Sequence, residues 1–88
     1  MEQAVRDALT LAQALELVAE CFGEPAASIT PERQRESIPG WDSMGALMFM
    51  AELDERFGIE LDAETSRAMT SVAHALAFMR EHGALTQA

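Results

Sequence analysis

From residue 3 to residue 22 the apolar side chains of Ala4, Ala8, Leu11, Leu15, Val18 and Phe22 recur at alternating spacings of four and three. That spacing lays one hydrophobic stripe along a helix, and a first helix over 3–22 is expected. Thr10 offers an alternative cap for a shorter helix preceded by a loosely docked extension. Gly23 and Pro25 stop the pattern in either case. Residues 24–42 keep no period and contain Pro25, Pro31, Pro39 and Gly40, which predicts a long loop. Two isolated apolar residues, Ile29 and Ile38, are placed to pin it, each contributing about 1.5–3 kcal/mol if buried. Within the loop, Thr30-Pro31-Glu32-Arg33 carries the signature of a single helical turn.

A second apolar run predicts a helix from Ser43 to Phe57, with Leu47, Met50, Leu53 and Phe57 facing the core. Met44, Met48 and Glu55 fall on the opposite side, with Ala51 between them. Gly58 is the expected C-cap, Ile59 and Leu61 turn inward, and Asp62 caps a short helix over 63–69. Thr70 or Ser71 then caps a last helix that buries Val72, Leu76 and Met79, with Ala75 and Phe78 beside them. Arg80 and His82 occupy its final turn, where positive charge is favourable, and Gly83 ends it. No strand pattern or repeat is present. The expectation is an all-α, small four-helix bundle, three main helices plus one short one, forming a single domain over 1–88 with its core at about 11–83.

Charge narrows the possible partners. The 88 residues carry a formal net charge of -9, and all 6 basic residues are Arg. Such a chain repels a phosphate backbone or an anionic bilayer, so nucleic acid and membrane are unexpected partners, and a basic patch on another protein is the natural complement. The single Cys21 excludes an internal disulfide, and the N-terminus shows no leader pattern, so cytoplasmic residence is expected.

The stretch with chemical content is Pro39-Gly40-Trp41-Asp42-Ser43-Met44-Gly45. Pro-Gly ends the loop, Asp42 and Ser43 are both capping residue types, and Ser43 therefore stands at or just inside a helix start. A helix start presents unpartnered N–H groups and partial positive charge, which suits a phosphate-bearing group on Ser43. The plainer reading of a Ser at this position is a cap.

Together with the apolar series ending in Leu53, Phe57, Gly58 and Ile59, residues Gly40, Asp42, Ser43 and Met44 resemble the carrier-protein family, the acyl and peptidyl carrier proteins. In that family the Ser of an Asp-Ser-Leu motif carries 4'-phosphopantetheine. The resemblance extends over about 11–83, with Met44 in place of the usual Leu, a volume-conserving exchange. It implies that Ser43 is the attachment residue and that Trp41, Asp42 and Met44 flank the prosthetic group. It further implies a phosphopantetheinyl transferase and acyl- or aminoacyl-loading and processing enzymes as partners of a non-enzymatic carrier, and the short chain of 88 residues adds the expectation of a free-standing monomer. Fatty acyl, polyketide and aminoacyl cargo all remain open. Familiar fatty-acid carriers are acidic on the outer face of the second helix where this chain has Gly45 and Met48. Met44 and Met48 are accordingly expected as an adaptable partner surface, with Asp54 and Glu55 as the acidic part of it.

Three other readings compete. An unmodified helical adaptor would use the same face of the second helix, with Ser43 as a cap only. A hydrolase built on Ser43 needs a base, and nothing in the sequence brings His74 or His82 to it. A metal site is not expected: the acidic cluster around Gly58 lacks the calcium-loop spacing, and one Cys with two separated His cannot make a zinc set. Cys21 is expected as a small buried hydrophobe, and Trp41 as the side chain that fixes the loop to the bundle.

Overall fold

A capping box sets where the first helix begins. In the computed structural model, which describes residues 8–86, Thr10 Oγ1 accepts from the Gln13 N–H at 3.1 Å, and Gln13 Oε1 accepts from the Thr10 N–H at 3.0 Å. Two amides at the helix start are thereby satisfied reciprocally, and α1 runs Leu11–Phe22. The helix expected over 3–22 is thus too long at its start, and the alternative cap at Thr10 is the one used. Leu9 pairs in parallel with Leu85 instead, through Leu9 N–H to Ala84 O at 2.8 Å and Thr86 N–H to Leu9 O at 2.9 Å. Extended backbone at Leu9 is incompatible with helix there. Ala4 lies outside the described residues. Gly23, at φ 68°, ends α1.

The segment from Glu24 to Asp42 is irregular but tightly held. Ile29 and Ile38 are both buried in the core as expected, and the Arg33 guanidinium donates to Ser28 O at 2.8 Å and Ser37 Oγ at 2.8 Å. Short 3-10 turns occur at Ala26–Ser28 and Arg35–Ser37. The helical turn expected at Thr30–Arg33 is only a turn closed by Arg33 N–H to Thr30 O at 3.0 Å. Its continuation is pulled out straight by the start of the last helix: Val72 N–H donates to Arg33 O at 3.0 Å, and Arg35 N–H to Thr70 O at 2.9 Å.

Helix α2, Ser43–Phe57, buries Gly45, Ala46, Phe49 and Leu53, with Met50 and Phe57 partly covered. Two expectations fail here. Leu47 faces outward and is 59% exposed, and Gly45 is buried, not on the outer face. Both failures have one cause. A Cβ on Gly40 would stand 1.8 Å from the Phe22 carbonyl oxygen, and one on Gly45 would stand 2.0 Å from the Gly40 carbonyl oxygen. The two glycines let the loop and the start of α2 press against the end of α1. With Gly45 fixed against that contact, the roughly 100° per residue of a helix carries Phe49 inward and Leu47 outward. Phe49 meets Phe22 at a ring-centroid distance of 6.3 Å.

After α2, Gly58 at φ 67° ends the helix, and Ile59 and Leu61 are buried as expected. Helix α3 covers Ala63–Ala68, one residue shorter than expected, capped by Asp62, whose Oδ1 accepts from the Thr65 N–H at 2.7 Å. Helix α4 covers Val72–Glu81 and is capped by Ser71, not Thr70; it buries Val72, Ala75, Leu76 and Met79. Among the described residues the architecture is the expected all-α bundle of three main helices and one short one.

Candidate functional site

The start of α2 has a definite division of labour. Asp42 has extended backbone, its Oδ1 accepts from the Gly45 N–H at 2.9 Å, and its carbonyl accepts from the Ala46 N–H at 2.9 Å. Asp42 is therefore the cap, and Ser43 is the first helical residue. Among the described residues the Ser43 hydroxyl makes no hydrogen bond, and the Ser43 and Met44 N–H groups have no acceptor. An exposed hydroxyl next to two unpartnered amides at the positive end of a 15-residue helix is the result.

Trp41 holds this arrangement in place. Only 5% exposed, it stacks on Phe22 at 4.7 Å with an interplanar angle of 16°. On its other flank the Arg35 guanidinium lies 5.0 Å from the ring centroid. Arg35 is itself fixed, because its Nη1 donates to Ser66 O and Met69 O, each at 3.0 Å. The chain is thus tied from α1 through Trp41 to α3 immediately before Ser43.

Along the outward side of α2 next to the hydroxyl the surface is apolar. Met44 and Met48 are 69% and 49% exposed, as expected, and Leu47 joins them. Ala51 and Glu55 continue the exposed stripe. Asp54 and Glu55 lie about 17 Å farther along the axis, at 1.5 Å per residue. The structure brings Met44 and Met48 to Ser43 but leaves Asp54 and Glu55 at the far end of the helix. Sequence periodicity missed Leu47; the signal that could have found it is the Gly40 and Gly45 pair. It also missed Arg35 and Arg67, which line a cleft with Ser43, Leu47 and Met50.

Other reactive groups are engaged elsewhere. His74 Nδ1 accepts from the Thr70 N–H at 3.0 Å, and the His82 ring stacks on Phe78 at 4.1 Å, so neither forms a pair with Ser43. No group of His, Cys, Asp and Glu among the described residues could hold a metal ion, and none of their helices is long and apolar enough to cross a membrane. The Asp62 carboxyl is held below its ordinary value, first by hydrogen bonds from Thr65 and to a lesser degree by the charge of Arg67.

Cys21 is buried as expected, and its thiol is pushed up from 9.0 to about 12, by burial first and then by Glu52 and Glu20. Above pH 9.0 the unfolded chain gives up a proton that the folded chain keeps, so this group's contribution to stability falls as pH rises from there towards about 12. At pH 8 the native chain should show no thiol reactive to Ellman's reagent, and one thiol after denaturation in guanidinium. Fast reaction of the native chain would contradict the burial.

No protein-family model matches the chain. It is similar to a curated acyl carrier protein of Rubrobacter xylanophilus, with 32% identity over 68 residues, which cover 76% of this chain and 83% of that protein.

Proposed function

The chain belongs to the acyl carrier protein family, and from that premise we propose that it carries its cargo as a thioester on a 4'-phosphopantetheine arm joined through a phosphodiester to Ser43 Oγ. The observation that carries this reading is the capping of α2 by Asp42. Because Asp42 caps the helix through the Gly45 N–H, Ser43 is not needed as the cap, and its side chain is exposed for modification. This removes the capping role that the adaptor reading gave to Ser43. The site suits the group: the phosphodiester would sit beside the Ser43 and Met44 amides at the positive end of the helix. The arm supplies the accessible thiol that the buried Cys21 does not.

In this reading a separate transferase moves the arm from coenzyme A, and separate enzymes of the cytoplasm load and process the cargo. Tethering raises the cargo's effective concentration at each partner site. The test uses the silence of Cys21. Ellman's reagent should find no fast thiol in the unmodified native chain and one after treatment with coenzyme A and a broad-specificity transferase. No new thiol would contradict the proposal.

The partner surface in this reading is the apolar patch of Met44, Leu47 and Met48, with Asp54 and Glu55 supplying charge steering from the far end. Met48→Glu should weaken loading by the protein's own partner with little dependence on salt. Glu55→Arg should mainly slow association, and its defect should shrink as salt rises and the Debye length drops below about 8 Å. Apparent second-order loading rates at low and high salt check this division. Unchanged or faster loading by Met48→Glu would show that the partner does not read the apolar patch.

A further inference from the structure

Two clefts adjoin one another near Ser43. The smaller, about 270 Å³, includes Ser43 and an apolar lining of Ala46, Leu47, Met50 and Ala63. The larger, about 590 Å³, is lined by Trp41 and Met69 with the polar Gln34 and Thr70. Arg35 and Arg67 line both, so the wall they share carries two positive charges. No carboxylate lines the smaller cleft, and Glu36 is the one carboxylate on the larger. In a chain with 15 acidic residues and a net charge of -9, this is a local reversal of sign directly beside the attachment residue.

The two guanidinium groups retain donors. Arg35 is oriented by its Nη1 bonds to Ser66 O and Met69 O, while its Nε and Nη2 donate to no described residue. Arg67 donates no hydrogen bond to a described residue, and its charge acts on the Asp62 carboxylate. Paired planar donors of this kind match the two oxygens of a carboxylate.

We propose that the cargo carried on Ser43 is an acyl group with an apolar stem and a terminal carboxylate, the stem lying in the smaller cleft and the carboxylate at Arg35 and Arg67. The proposal rests on the carrier reading. The phosphodiester of the arm is the other anion within reach, but it is bonded directly to Ser43 and makes no use of the apolar lining. A hydrocarbon stem does, and its charged end then meets the arginines.

The test compares adipyl and hexanoyl cargo, each transferred with the arm from its coenzyme A thioester and confirmed by intact mass. Thioester cleavage by hydroxylamine is then timed, with the free coenzyme A thioesters correcting for intrinsic reactivity. The adipyl form should be cleaved about two- to fivefold more slowly than the hexanoyl form, the range expected for a partly exposed ion pair. Arg67→Gln should abolish the difference and Arg67→Lys should keep part of it, with circular dichroism verifying that both fold. The Arg67 Nε–H resonance should shift between the hexanoyl and adipyl forms. Equal cleavage rates would overturn the proposal. So would an Arg67 resonance that moves when the arm alone is attached and no further with adipyl, which would assign the arginines to the phosphodiester. Absence of any mass increment would instead refute the carrier reading itself.

Discussion

Phe49→Ala should cost about 3–5 kcal/mol of folding stability, whereas Met48→Ala, one residue earlier, should cost less than about 0.5. Phe49 is among the largest fully buried side chains of the chain and packs against Phe22, which in turn stacks on Trp41. Its removal opens a cavity where α1, α2 and the loop before Ser43 meet, and the close contact of Gly40 and Gly45 with Phe22 leaves little room for collapse. Since a small domain has only about 5–15 kcal/mol in total, the variant should stand close to unfolding at room temperature. Urea denaturation midpoints at equal slope make the comparison. Similar midpoints for the two variants would show that the inward face of α2 is assigned wrongly.

That face is also where sequence reading reached its limit. Leu47, Met48, Phe49 and Met50 are four consecutive apolar residues, and periodicity alone cannot choose which pair turns inward. The choice is made by Gly45 meeting Gly40 and Phe22, a contact between residues 5 and 23 positions apart in the chain. The start of α1 misled for a different reason: the small Ala4 and Ala8 extend the stripe cheaply, but the Thr10–Gln13 capping box and the Leu9–Leu85 pairing decide the boundary. By contrast, Ile29 and Ile38 were readable as isolated apolar residues in a polar loop, and Gly58, Asp62 and the Val72–Met79 stripe were readable from helix end signals and period.

At the site, the motif pointed to Ser43 as the candidate, but Asp42 and Ser43 are both good caps, and only the Asp42–Gly45 hydrogen bond separates their roles. Arg35 and Arg67 were beyond reach because they are 32 positions apart and meet only through the fold. The Arg35 bonds to the carbonyls of Ser66 and Met69 bring the loop against α3.

The second large effect concerns Ser43 itself. With capping assigned to Asp42, Ser43→Ala removes an exposed hydroxyl that makes no hydrogen bond to a described residue. Its stability should stay within about 0.5 kcal/mol of the parent chain, less than the loss of about 1 kcal/mol typical of a removed cap. Loss of function in this variant would then be chemical and not a consequence of unfolding. The most direct measurement is intact mass after incubation with coenzyme A and a broad-specificity phosphopantetheinyl transferase. The parent chain should gain the mass of a single phosphopantetheine arm, and Ser43→Ala, folded as well as the parent by circular dichroism, should gain none. An equal gain in the alanine variant, or no gain in the parent, would contradict Ser43 as the site that carries the cargo.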